Sequence, residues 1–148
     1  TVRDIVNSAA KLIPHFYSDK EVIENVDDVL IVNTIGDLLK FYAIADIAVM
    51  GGTLNEKIGG HNILEPAFFS VPVVSGPYYH KNTQIYEMML SAQGLIVAET
   101  KVELKEELEQ LILSEDKRKI TGLCAKKLTE ANSKIVYNLA TKLKEYIH

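Results

Sequence analysis

The segment from Gly51 to Pro77, GGTLNEKIGGHNILEPAFFSVPVVSGP, has the residue types and the spacing that could bind a ligand. It contains five of the chain's eight glycines and three of its four prolines. Glycine lets a ligand approach the backbone closely and permits positive φ angles. Polar side chains stand beside the two glycine pairs: Thr53, His61, Asn62 and, next to a proline, Glu65. The segment therefore indicates a loop that binds a ligand largely through its backbone, with Thr53 adding a hydroxyl donor.

A helix is predicted to start just after the second glycine pair, Gly59 and Gly60, in one of two registers. Asn62 is a good N-cap residue, and Glu65 three residues later gives the spacing of a capping box. Alternatively, Pro66 occupies the first helical position, which proline prefers. Both registers direct free backbone N–H groups into the loop, where they can bind an anion. A phosphate fits this site. A nucleotide phosphate fits best, because the nearby carboxylate can accept hydrogen bonds from the ribose hydroxyls of the nucleotide.

Another interpretation stays open at this point. Glycine-rich loops also join strands to helices in α/β proteins that bind nothing there, and then Glu65 only caps a helix and His61 is an ordinary loop histidine. Neither the dinucleotide fingerprint G-x-G-x-x-G nor the P-loop ending G-K-[ST] is present. The remaining histidines, His15, His80 and His148, lack metal-ligand spacing, so we predict surface or loop positions for them and no metal site.

The elements around this segment predict an α/β fold. Apolar runs at 29–33, 46–52, 71–76 and 95–99 are predicted strands, with 15–18 as a shorter candidate. Helices are predicted at 2–13, 38–45, 62–70 and 81–94, the last one ended by Gly94, and from Val102 onward. This alternation is typical of a Rossmann-like parallel sheet with helices on both faces. Ligands bind beyond the carboxyl ends of such strands, which is where the glycine loop lies.

Two helical stripes near the C-terminus carry further predictions. Ile120, Leu123, Cys124 and Leu128 recur at helical spacing, so we predict that this stripe is buried and that Cys124 lies in the core. The last helix, over 133–147, is amphipathic and could contact another domain or a partner chain.

Length, composition and charge limit the possible classes of protein. The 148 residues are predicted to form a single domain over 1–148, and a hydrophobic fraction of 47% excludes a disordered chain. A net charge of −4 argues against nucleic-acid binding. The lone cysteine cannot form an internal disulfide, and no apolar run has the length of a membrane span. Because Thr1 falls inside a predicted helix, we expect the chain to be a piece of a larger protein.

The stretch from Asn33 to Glu99 resembles the C-terminal half of the 3-deoxy-D-manno-octulosonic acid (Kdo) transferases of lipopolysaccharide biosynthesis. The matching motifs, in order, are NTIGDL, ADIA, GGT, GGHNILEPA and PVVSGP. The resemblance implies the donor-binding half of a two-domain GT-B glycosyltransferase. In that family this half binds CMP-Kdo, and the N-terminal domain binds the lipid A precursor. The family is inverting and uses no cofactor or essential metal. Its N-terminal part attaches it to the cytoplasmic face of the bacterial inner membrane.

The resemblance also implies roles for individual residues. Thr34, Ile35 and Gly36 would line the cytosine edge of the donor site. Gly51, Gly52 and Thr53 would approach the phosphate or the Kdo carboxylate, with Asn62 at the helix start. Gly59 and Gly60 would belong to the same donor-binding site. Glu65 would accept hydrogen bonds from the ribose hydroxyls, and His61 would orient the loop or contact the sugar acid. No catalytic residue is expected here, because the general base belongs to the N-terminal domain, so the chain alone is predicted to be inactive.

The sequence departs from the family pattern beside the glycine loop. Tyr78 stands where the family has His, Lys81 and Asn33 stand where Asn and Asp are common, and the loop between the glycine pairs is one residue longer. Lys81 is a candidate to pair with an anionic donor, or it is a solvated lysine at a helix start. Two other functions remain as alternatives: half of a GT-B enzyme that uses a UDP-sugar, and a non-catalytic interaction module.

Overall fold

The computed structural model describes residues 14–19 and 29–131, together with Tyr137 and Thr141. The helix predicted at 2–13 and most of the one predicted at 133–147 lie outside these residues. Two compact units divide the chain, Thr1–Leu38 and Leu39–His148. Each unit is described by itself, and the single domain over 1–148 stays a prediction.

The first unit contains a pair of parallel strands, β1 (Pro14–Phe16) and β2 (Val29–Ile31). A 3₁₀ turn follows β1 at Tyr17–Asp19. Beyond the strand ends, the Ser18 backbone N–H donates to Asn33 Oδ1 at 3.1 Å, and Asn33 Nδ2 donates to Ser18 Oγ at 2.8 Å. Because an aspartate has no amide donor, the asparagine suits this pair of bonds better than the Asp expected from the family pattern.

The second unit contains a three-stranded parallel sheet in the order β3 (Ala48–Met50), β4 (Val73–Ser75) and β5 (Leu95–Val97). All three residues of the central strand, β4, are buried. A strand covered on both faces needs apolar side chains at every position, which explains its continuous apolar run. The predicted strands are confirmed, and each one is shorter than its apolar run.

The described part of the chain contains five helices: α1 (Leu38–Tyr42), α2 (Leu64–Phe68), α3 (Thr83–Ser91), α4 (Lys101–Leu113) and α5 (Glu115–Ala131). The start of α4 is capped by Thr100 Oγ1, which accepts from the Glu103 N–H at 3.1 Å, while Glu103 Oε2 accepts from the Glu99 N–H at 2.8 Å. Within the described residues, no helix is long and apolar enough to cross a membrane.

The end of α3 differs from the prediction. The helix stops at Ser91, and Gln93, with φ of 58°, takes the left-handed conformation that was expected at Gly94. The Gly94 N–H donates to the Met89 carbonyl at 2.9 Å and closes the helix end. Gly94 is needed instead for close packing, since a Cβ on it would lie 2.6 Å from the Cα of Ala125 in α5.

The buried face of α5 also differs from the prediction. Small residues form it: Thr121, Gly122, Ala125 and Thr129. Ile120 and Leu123, predicted to be buried, have relative exposures of 61% and 52%, and Cys124 is only partly buried. The reason is the close approach of α5 to the turn after α2, where any side chain on Gly122 would collide with the Ser70 carbonyl. Large apolar residues cannot occupy such a face.

Candidate functional site

The first glycine pair begins a 3₁₀ turn, Gly51–Leu54, directly after β3. The predicted strand over 46–52 therefore ends early, at Met50. Thr53 in this turn is fully buried, and its hydroxyl donates to the Met50 carbonyl at 2.5 Å and accepts from the Gly76 N–H at 2.6 Å. The hydroxyl has one proton, and the Met50 carbonyl accepts it. The expectation that the Thr53 hydroxyl donates to a ligand is therefore corrected. Thr53 instead fixes the turn against the end of β4.

Gly52 is covered by the imidazole of His61. A Cβ on Gly52 would lie 2.5 Å from His61 Cε1, so the ring occupies the space that a side chain would need. The Gly60 N–H donates to the Gly52 carbonyl at 3.4 Å, and the Tyr86 hydroxyl donates to the His61 carbonyl at 3.1 Å. These contacts bring Gly52, Gly60 and His61 together.

Gly59 and Gly60 adopt backbone conformations that favour glycine, with φ of 71° and 116°. The ring of His80 lies over Gly59, in the space that a Cβ would fill. The backbone N–H of Lys81 donates to the Gly59 carbonyl at 3.0 Å. The sequence assigned His80 no role at this loop. Nothing in its spacing indicated one, because the contact joins segments that are 21 positions apart in the numbering.

Gly51 differs from Gly52, Gly59 and Gly60 because none of the described residues covers it. No atom of these residues lies within 4 Å of a Cβ built on Gly51, and Gly51 is exposed. Its backbone is therefore open to a ligand at the carboxyl end of β3, which is the position where α/β sheets bind ligands.

The helix after the second glycine pair starts in neither predicted register. Its first residue is Leu64 and its N-cap is Ile63, while Asn62 Oδ1 accepts from the Leu64 N–H at 3.1 Å. Pro66 is the third helical residue, where its missing N–H costs no helical hydrogen bond. Since α2 has only five residues, its dipole adds less to anion binding than the predicted helix over 62–70 would.

Glu65 lies in the first turn of α2 and is partly buried. Burial raises the pKa of the Tyr42 hydroxyl above its usual range, and the negative charge of Glu65 raises it further. Burial also raises the pKa of Tyr86, against the effect of its hydrogen bonds to the His61 backbone and to Ser75. The Tyr86 ring stacks on Tyr79 with a centroid distance of 4.8 Å. Glu65 is thus close to a group of packed tyrosines beside the glycine loop.

The residues expected at the cytosine edge lie in the first unit, in a turn after β2. The Thr34 hydroxyl donates to Asp37 Oδ2 at 2.7 Å, and Gly36 has φ of 98°. Between them, the Ile35 side chain is fully exposed. The turn therefore displays one apolar side chain on a backbone held by a local hydrogen bond.

A cavity of about 360 Å³ adjoins the glycine turn at the carboxyl ends of β4 and β5. Its walls are mostly apolar and comprise Leu54, Pro77, Tyr78, Ala98, Glu99, Thr100, Lys101 and Leu104. Sequence reasoning noted Tyr78 as a departure from the family but did not predict a cavity. Among the residues that the structure describes, no group of three His, Cys, Asp or Glu side chains could hold a metal ion.

Comparisons with known proteins agree with this architecture. No protein-family model matches the chain. It is 32% identical over 131 residues to a 3-deoxy-D-manno-octulosonic acid transferase of Haemophilus influenzae, an alignment that covers 88% of this chain and 30% of the relative. It is 35% identical over 115 residues to the transferase of the same name from Aquifex aeolicus, covering 72% and 32%. The chain thus spans about a third of the length of these relatives.

The fold matches the crystal structure of the C-terminal CMP-Kdo binding domain of WaaA from Acinetobacter baumannii. The TM-score is 0.76 at 27% identity, and the match covers 84% of this chain and 64% of that one. The predicted α/β fold, the C-terminal half of a GT-B glycosyltransferase, is therefore confirmed. By sequence and by fold, this chain belongs to the family of 3-deoxy-D-manno-octulosonic acid transferases and corresponds to their C-terminal domain.

Proposed function

We propose that this chain is the donor-binding domain of an inverting glycosyltransferase that transfers Kdo from CMP-Kdo to a lipid A precursor in lipopolysaccharide biosynthesis. The observation that carries the proposal is the match to a solved CMP-Kdo binding domain. The relatives that share its sequence are transferases of the same sugar. The open backbone at Gly51 and the partly buried carboxylate of Glu65 suit a nucleotide.

In this proposal the glycine turn receives the phosphate. The backbone of Gly51 is uncovered, and the ring of His61 packs against Gly52. Asn62 holds the backbone that leads into α2, and Glu65 accepts hydrogen bonds from the ribose hydroxyls. Lys81 is exposed next to the loop and contributes positive charge near the anionic donor.

The chemistry of this domain is binding and charge stabilisation. When the glycosidic bond of CMP-Kdo breaks, negative charge develops on the departing CMP phosphate. Backbone N–H groups and nearby cations stabilise that charge without having to reorganise. The carboxylate that deprotonates the acceptor hydroxyl belongs to the N-terminal domain, which also binds the lipid and attaches the enzyme to the cytoplasmic face of the inner membrane. The donor is a substrate, and the reaction needs no cofactor or metal from this domain.

Calorimetric or NMR titration of the chain with CMP tests the proposal, with UMP and UDP as competitors. We expect CMP to bind more tightly than either uridine nucleotide, and Glu65→Ala to weaken CMP binding about tenfold through loss of hydrogen bonds to ribose. Glu56→Ala is the matched control, because Glu56 is an exposed carboxylate on the glycine loop itself. Preference for UMP or UDP would move the chain to a GT-B enzyme that uses a UDP-sugar. An equal loss of CMP affinity in Glu65→Ala and Glu56→Ala would contradict the role of Glu65 in binding the ribose.

A further inference from the structure

Two histidines lie against a single closed loop. The hydrogen bond from the Gly60 N–H to the Gly52 carbonyl closes the segment from Gly52 to Gly60 into a loop. His61 covers Gly52 on one side of this closure, and His80 covers Gly59, whose Cα is about 3.8 Å from that of Gly60. The imidazoles therefore lie against neighbouring parts of one loop, and Gly51, whose backbone is open, is the residue before Gly52.

The first turn of α3 holds the backbone of both histidines. The Tyr86 hydroxyl donates to the His61 carbonyl at 3.1 Å. The Thr83 hydroxyl donates to the His80 carbonyl at 3.2 Å, and the Lys81 N–H joins the same turn to Gly59 at 3.0 Å. The backbone of both histidines is thus held before any ligand binds, which lowers the ordering cost of a contact with their rings.

Both histidines are exposed residues. A neutral imidazole has one N–H donor and an imidazolium has two, so each ring can donate to a phosphate oxygen in either protonation state. Hydrogen bonds to a charged acceptor are stronger than those between neutral groups. An anion beside Gly51 is the group that these donors suit.

We propose that His80 is a further donor-contacting residue and that, together with His61, it forms an imidazole pair that binds the phosphate of the nucleotide. The inference rests on the proposed function, because that function supplies the phosphate. It gives a role to a histidine that the sequence left as a surface or loop residue. It also assigns Gly52 and Gly59 one shared task, since each makes room for one ring of the pair.

Phenylalanine variants separate ligand binding from packing. His80→Phe and His61→Phe each keep an aromatic ring over the glycine and remove the ring N–H. We expect each variant to weaken CMP binding about tenfold while cytidine, which has no phosphate, binds as it does to the wild type. If the rings share one phosphate, the double variant should lose clearly less than the product of the two single losses. CMP binding by His80→Phe at the wild-type level would overturn the proposal, and fully multiplicative losses would overturn the pairing.

Side-chain NMR of the histidines in the wild type keeps this test separate from that of the proposed function. Imidazole signals of His61 and His80 that shift with CMP, UMP and inorganic phosphate alike would support the pair even if CMP is not preferred. Selective CMP binding without a shift at His80 would overturn the pair and leave the donor domain standing. Absence of a shift with all three anions would also overturn it.

Discussion

Gly51 and Gly52 are neighbours in the sequence, yet only Gly52 is covered. A methyl group on Gly51 enters open space, whereas one on Gly52 must displace the His61 ring. We expect Gly51→Ala to change the free energy of unfolding by less than about 0.5 kcal/mol and to weaken CMP binding about tenfold, because the methyl blocks close approach of the ligand. Chemical denaturation and a CMP titration measure the two effects.

Gly52→Ala is the matched comparison. It should shift the His61 ring signals in the ligand-free protein, whereas Gly51→Ala should leave them in place. Wild-type CMP affinity in Gly51→Ala would show that the ligand does not approach this backbone. That result would move the phosphate away from the end of β3.

Two tyrosines, the partly buried Tyr42 and the buried Tyr86, predict a pH dependence of stability. The pKa values of Tyr42 and Tyr86 are raised in the folded chain, chiefly by burial. Above about pH 10 the unfolded chain loses these protons more readily than the folded chain does, so stability should fall as the pH rises through this range. The urea midpoint measured from pH 9 to 11 checks this. Tyr42→Phe should reduce the change of the urea midpoint with pH. Tyr137→Phe should not, because Tyr137 is exposed.

At this residue scale, the sequence missed several contacts. The concentration of glycines around His61 and Glu65 indicated a ligand-binding loop, and that role stays a prediction. The coverage of Gly59 by His80 depends on a contact between distant segments, which spacing does not reveal. Thr53 looked like a ligand donor because its hydroxyl follows two glycines, but the nearby Met50 carbonyl and the Gly76 N–H engage it.

Among the elements, α5 depends most on small residues. Replacing Gly122 with alanine raises intrinsic helix propensity by about 1 kcal/mol. The new methyl group would also collide with the backbone carbonyl of Ser70, which a side-chain movement cannot relieve. We expect the collision to dominate, so Gly122→Ala should lower the free energy of unfolding by about 1–3 kcal/mol, measured by chemical denaturation.

Leu123→Ala is the control for this helix, because Leu123 is a neighbouring residue with 52% exposure. It should change the free energy of unfolding by less than about 0.5 kcal/mol. A stabilised Gly122→Ala variant would show that helix propensity dominates, and that α5 can move away from Ser70 at little cost.

Strand positions were more predictable than helix details. Runs of apolar residues on both faces are specific to buried parallel strands, and β2 to β5 lie inside the predicted runs. The predicted start of α2 was wrong in both registers. The helix begins at Leu64, and Pro66 is its third residue, a position where proline is also tolerated. The buried face of α5 was wrong because helical periodicity identifies large apolar residues and gives no sign of a face selected for close approach.

For the whole molecule, the decisive feature is that the chain spans about a third of the length of its relatives. We expect these 148 residues to bind CMP and to transfer no Kdo, because the proposed function assigns the general base and the acceptor site to a separate N-terminal domain. Incubation with CMP-Kdo and a lipid A precursor, followed by mass spectrometry of the lipid, checks this. The full-length Haemophilus influenzae relative is the positive control, and lipid-bound Kdo formed by the chain alone would contradict the expectation.

The bonds of Thr53 also bear on how donor specificity could be engineered. Its hydroxyl joins the end of β3 to the start of the segment after β4, and its carbonyl accepts from the Tyr78 N–H at 3.0 Å. A Cβ on Gly76 would lie 2.5 Å from that carbonyl oxygen, so the two segments fit only as a matched pair. Chimeras that exchange Gly51–Leu54 between relatives should therefore exchange 76–78 in the same step, since the two loops form one transplantable unit.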